Sequence, residues 1–165
     1  MDESDFDLLR FNGRPRAEDW RPVNMTRLKV WDDGRRLKPS DFPSCSGGDM
    51  MILSQNAKEV LGSYLAQYGE LLPLACNDGE FWTLNVTTFV DALDEEATQA
   101  VRASDSGRIL LIRKHAFNSA ALRDAGLFKL PQTPRGLIYA TESFAQELRR
   151  HSLLGLELEP IWAPN

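Results

Sequence analysis

The sequence predicts an α+β fold: a single domain whose mainly antiparallel mixed sheet is flanked by a few helices. Three observations predict it. Helix-period and strand-period segments are mixed without the regular strand–helix–strand rhythm of a parallel sheet. Asn77-Asp78-Gly79 is a strong hairpin turn between two β-rich runs. The 165 residues, 42% hydrophobic and 26% charged, suffice for one well-filled core without metals or disulfides.

Residues 1–40 read as an irregular N-terminal segment with one or two short strands, and residues 41–165 as the α+β domain proper. Trp20, Val23, Leu28, Val30 and Trp31 are apolar enough to pack, but Pro15, Pro22 and Pro39 interrupt them, and the first dozen residues are expected to be mobile. Ser44–Asp49 is a glycine-rich loop. Ser54 then caps a helix over about residues 55–68, with Ala57, Val60, Leu61, Tyr64, Leu65 and Tyr68 at helical spacing and Gly69 as its stop. The hairpin pairs Leu71–Cys76 with Phe81–Val86.

Further on, Phe89–Leu93 extends or follows the sheet, and Asp94 starts a short helix to about Arg102, with Glu95 and Glu96 in its first turn. Arg108–Arg113 (RILLIR) reads as a buried strand with charged ends. His115–Asp124 holds a helical turn or more, closed by Gly126, and Leu127–Leu130 and Leu137–Ala140 are short strands. Thr141 caps a last helix, with Phe144, Ala145 and Leu148 on one face and Arg149, Arg150 and His151 at its C-terminal end. Leu156–Trp162, alternating Leu and Glu before Pro160, predicts a half-exposed strand.

Charge is unevenly spread. Residues 51–100 hold eight carboxylates and one base, Lys58, a net −7 against −1 before them and +3 after. Such a concentration suits a basic protein partner and disfavours nucleic acid and anionic membrane. The candidate contact residues are Asp78, Glu80, Asp91, Asp94, Glu95 and Glu96, together with Trp82 as an aromatic anchor. Each acid also has an ordinary explanation at a hairpin tip or a helix cap. Phe81 and Trp82 are adjacent on a strand, so their rings face opposite sides of the sheet and at least one belongs to the core.

Catalytic and metal-binding patterns are weak. Cys45, Cys76, His115 and His151 stand singly, without the compact ligand spacing of a zinc site, so no metal and no cofactor is predicted. Cys45 with either histidine is the one arrangement from which a cysteine-dependent enzyme would be built. Ser46-Gly47-Gly48-Asp49 lacks a phosphate-loop pattern. Asp91 with Asp94 resembles a hydrolase dyad less than it resembles a cap. Arg35-Arg36-Lys38 lies beside Asp32 and Asp33, as in a solvated turn rather than a nucleic-acid surface. The acidic start MDESDFDLL lacks the basic and apolar regions of a signal peptide, and no apolar run approaches the roughly 18 residues that span a bilayer, which predicts a cytoplasmic chain.

Three stretches, ILSQNAKEVLGSYL, FWTLNVTTFVDALDEE and LFKLPQTPRGLIYATESFAQELRRHSLLGLELEPI, occur in the order seen in a bacterial immunity-protein family, family 11 of the polymorphic-toxin systems. Leu53-Ser54, Asn85–Asp94 and Gly155–Pro160 stand at its motif positions, with Leu158 where the pattern carries an aromatic. The resemblance spans about Phe42–Trp162. It implies a non-enzymatic antitoxin, the immunity protein of a cognate toxin domain that it binds and neutralises. An acidic surface suits a basic toxin, such as a nuclease. The alternatives are an adaptor or regulatory module with a non-toxin partner, and a small enzyme using Cys45.

Overall fold

The computed structural model of the chain describes residues 3–30, 32–44 and 50–164. At its centre is a four-stranded sheet of β1 (Asn24–Met25), β2 (Ile52–Ser54), β3 (Gly69–Cys76) and β4 (Phe81–Val86), ordered β1-β3-β4-β2. β3 and β4 form the expected hairpin, with Leu71 opposite Leu84 and Leu74 opposite Phe81. β2 runs antiparallel to the far side of β4, and β1 runs parallel to β3. The predicted α+β class, with a mixed and mainly antiparallel sheet, is what forms.

Strand alternation decides what each face of this sheet meets. Leu53, Leu84 and Val86 point to one face, where helix α2 (Gln55–Leu65) buries Ala57, Leu61 and Leu65 and helix α3 (Glu142–His151) buries Phe144 in the same cluster. Ile52 and Leu74 point to the other face and are buried with Leu9 and Val23 of the N-terminal segment. With both faces covered, Thr83–Val86 is buried at every position. A strand closed on both sides reads as continuous rather than alternating.

The buried polar residue on the N-terminal side explains how that segment is held. Asn85 Nδ2 donates to the Arg14 carbonyl at 2.8 Å and to Glu70 Oε2 at 2.9 Å. The Glu70 carboxylate also accepts from Arg16 N at 2.7 Å and Ala17 N at 3.1 Å. The segment is more ordered than its prolines suggest. It holds helix α1 (Glu3–Leu9), which the sequence did not signal, and buries Leu9.

Ser54 caps α2 as predicted, its Oγ accepting from Ala57 N at 3.2 Å. The helix ends at Leu65, however, and Gly69 opens β3 instead of stopping the helix. The backbone oxygen of Asn85 occupies the place where a side chain on residue 69 would stand, so this position serves strand approach.

The second half departs further. The helix expected from Asp94 to Arg102 is one turn followed by strand β5 (Gln99–Arg102). Asp94 Oδ1 accepts from Glu96 N at 3.1 Å and Ala97 N at 3.0 Å, the bonds a helix cap would make. Thr98 then exchanges 3.2 Å hydrogen bonds with the backbone of Ala116, and the chain extends to pair with β6 (Ile109–Lys114). β6 is the strand expected at Arg108–Arg113, but it is buried only in part: Ile109 joins the core and Ile112 packs against it, while Leu110 and Leu111 are each 57% exposed. Six residues of β6 oppose four of β5, so the register shifts twice, and no further strand covers the ribbon among the described residues. Bulges of this kind bend the strand and re-aim its side chains.

A single 3₁₀ turn at Ser119–Leu122 precedes β7 (Leu127–Phe128) and β8 (Tyr139–Ala140), which pair antiparallel near their expected places. Around them Phe117, Phe128, Tyr139 and Trp162 form an aromatic cluster, with ring centroids 5.4–6.3 Å apart. Thr141 precedes α3 as predicted but does not cap it with its side chain, since its hydroxyl donates to the Ala125 carbonyl at 2.6 Å. Leu156–Trp162 forms no strand, because no neighbouring strand offers it a ladder.

Candidate protein-binding surface

The seven predicted contact residues fall into two groups. The first lies at the tip of the β3–β4 hairpin. Asp78 is in the turn and takes a 2.6 Å ion pair from Lys29, and Glu80 is exposed just before β4. Trp82 is half-buried on the α2 face, opposite Leu53 and Pro73, with Lys58 Nζ 5.0 Å from its ring centroid. That is cation–π distance. Phe81 points the other way and packs on the cluster of the N-terminal segment. The two rings thus take opposite faces as alternation requires, and neither stands free as an anchor.

The second group is the turn after β4. Asp91, Asp94, Glu95 and Glu96 are all exposed. Asp94 is committed to the backbone bonds that shape the turn. Gln132 Nε2 donates to Asp91 at 2.8 Å and reaches Glu95 at 3.5 Å, tying two carboxylates to the neighbouring loop without neutralising either. Glu95 pairs with Arg102 at 2.6 Å. Asp91 and Glu96 keep their charge facing water, uncompensated by any ion pair among the described residues. β4 separates the two groups, and its six residues span about 20 Å.

Other titratable groups have structural duties. Asp41 borders a cleft of about 250 Å³ that also touches Arg27, Ser54, Phe81 and Leu154. Desolvation pushes its carboxyl up, but hydrogen bonds from Asn56 (2.9 Å), Leu154 N (3.0 Å) and Ser54 (3.1 Å) outweigh this and hold it below the ordinary value. Its acceptor oxygens bind together the Asp41 loop, the start of α2 and the C-terminal segment. His115 Nε2 lies 3.1 Å from Tyr139 Oη and its ring stacks on Phe117 at 5.7 Å. Burial lowers its pKa and raises that of Tyr139. His151 pairs with Glu147 at 3.2 Å.

Cys45, the proposed nucleophile of the enzyme alternative, and the loop Ser46-Gly47-Gly48-Asp49 lie outside the described residues, as does Trp31. Among the described residues, no group of three or more His, Cys, Asp or Glu is arranged to hold a metal ion. No helix among them is long and apolar enough to cross a membrane. No family model matches the chain, and no curated protein matches its sequence.

Three features of this surface were not anticipated: Lys58 over Trp82, Gln132 bridging Asp91 and Glu95, and the exposed β5–β6 ribbon. The first two depend on pairings distant in sequence. The third had one visible signal, the bases Arg108, Arg113 and Lys114 that close around its apolar run.

Proposed function

We propose that this chain is an immunity protein that neutralises a cognate toxin domain by stoichiometric binding, without catalysis. The observation that carries the reading is the turn 91–96. It presents four exposed carboxylates on a backbone already held by Asp94, with Gln132 holding the Asp91 side chain. A prefolded acidic turn loses little freedom on binding and attracts a basic partner from a distance. The motif order from Ile52 to Pro160, similar to immunity family 11, supports the same reading. The partner expected is a basic toxin domain, of which a nuclease is one example, and neither nucleic acid nor membrane is a direct ligand of the acidic turn.

The test is co-expression with the C-terminal domain encoded by the adjoining gene, followed by growth and pull-down assays. Rescue with a one-to-one complex supports immunity by binding. Rescue without a complex favours an enzymatic route and directs attention to Cys45. Complex formation with a non-toxic partner favours the adaptor reading.

A further inference from the structure

We propose that the outward face of the β5–β6 ribbon is a second docking site, which takes an acidic, leucine-rich or otherwise amphipathic segment of another protein. The site is distinct from the acidic turn and does not rest on the function proposed above.

Three observations converge on it. Leu110 and Leu111 are consecutive, yet both are 57% exposed, and Leu110 is the extra residue at a register shift, where bulges re-aim side chains. Adjacent leucines on a regular half-covered strand would instead divide between core and solvent. Arg113 and Lys114 lie on the same strand and Arg108 directly precedes it; all three are exposed, and none forms an ion pair among the described residues. Arg102 on β5 is different, being matched by Glu95 at 2.6 Å. A chain with net charge −5 therefore leaves two exposed leucines close in sequence to three exposed cations that no ion pair compensates among the described residues. A two-stranded ribbon is marginal on its own and gains from a covering layer.

Charge chooses the occupant. A second copy docking by the same patch across a twofold axis would set three cations against three cations, and like charges at close quarters oppose association. The bulges and Lys114 also impede strand-edge pairing between copies. Nucleic acid is a poorer match, since residues 99–114 include no aromatic on which bases would stack. An acidic segment with apolar side chains satisfies both halves of the surface: its carboxylates meet Arg108, Arg113 and Lys114, and its apolar side chains cover the leucines.

The experiment measures fluorescence anisotropy of a labelled peptide with leucines flanked by aspartates, titrated with the full chain. Its counterpart with lysines in place of the aspartates is run in parallel, together with an oligonucleotide, anionic vesicles and sedimentation of the chain alone. The acidic peptide is expected to bind and to weaken with salt, while the lysine peptide does not bind. Substituting Leu110→Ser with Leu111→Ser, or Arg113→Glu alone, is expected to weaken binding by about tenfold or more. These exposed positions leave the fold intact, which thermal unfolding of each variant checks. Absence of acidic-peptide binding, or binding indifferent to these substitutions, overturns the proposal. So does tighter binding of the oligonucleotide or vesicles through the same residues, or a dimer dissolved by the leucine substitutions.

Discussion

The β3–β4 hairpin and the β5–β6 ribbon are both antiparallel strand pairs, yet they have different surroundings. The hairpin lies between α2 and α3 on one face and the N-terminal segment on the other, so even Thr83 and Asn85 are fully buried. The ribbon has no further strand beside it among the described residues: Ile109, Ile112 and Ala100 pack against the aromatic cluster, while Leu110 and Leu111 turn to solvent. Apolar content alone therefore does not assign a strand to the core. What decides is whether the rest of the chain supplies a layer to cover it. The covered pair carries stability, and the uncovered parts, the ribbon and the acidic turn beside it, are free to meet partners.

The sharpest way to break this comparison is to truncate a leucine in each pair. Leu84→Ala, at a site 1% exposed, is expected to cost about 2–5 kcal/mol in chemical denaturation. Leu111→Ala is expected to stay within about 0.5 kcal/mol. Equal costs would mean that the ribbon is covered after all. The next largest effect concerns the layer that closes the second face of the hairpin. Glu70→Ala leaves Arg16 N, Ala17 N and Asn85 Nδ2 without their shared acceptor and is expected to cost about 1–3 kcal/mol. Faster hydrogen exchange at Arg16 and Ala17 would accompany it, with the ribbon unaffected.

How much of this was legible in the sequence follows from the range of the interactions. α2 and the hairpin were legible because Ser54 and Asn77-Asp78-Gly79 act on their immediate neighbours. Asp94 misled because it binds the N–H groups two and three residues ahead equally well in a cap and in a lone turn. Only the later pairing of β5 with β6 decides between them. RILLIR signalled a strand but not its exposure, since two bulges and a missing layer are not local properties. The N-terminal segment was obscured by prolines: β1 depends on pairing with Ala75 and Cys76 of β3, and residues 14–17 depend on Glu70 and Asn85, all more than fifty residues away. For the candidate site, the identity of the acids was legible and their grouping was not. β4 holds the hairpin tip apart from the turn.

Two smaller effects sharpen the same contrast. Gly62→Ala places a methyl at ordinary contact distance from Leu71 (3.6 Å) within α2, and is expected to stabilise the chain by about 0.5–1 kcal/mol in thermal or chemical unfolding. The smallest is a pH effect in the aromatic cluster. Burial lowers the His115 pKa from 6.5, so the folded chain binds that proton less readily than the unfolded one. Its stabilising share is full above pH 6.5 and declines as pH falls from there through the lower folded value. Melting temperature should therefore drop on mild acidification, and His115→Phe should flatten that part of the profile. Asp41, depressed from 3.8, adds its own loss at lower pH, in the range below that value.

The most direct test of capture by the acidic turn is the association rate with the toxin domain from the adjoining gene, measured by stopped flow across ionic strength. Glu95→Lys with Glu96→Lys should slow association by about tenfold or more at low salt and flatten its salt dependence. An unchanged rate and salt slope would remove the turn from the interface and contradict the proposed mode of neutralisation.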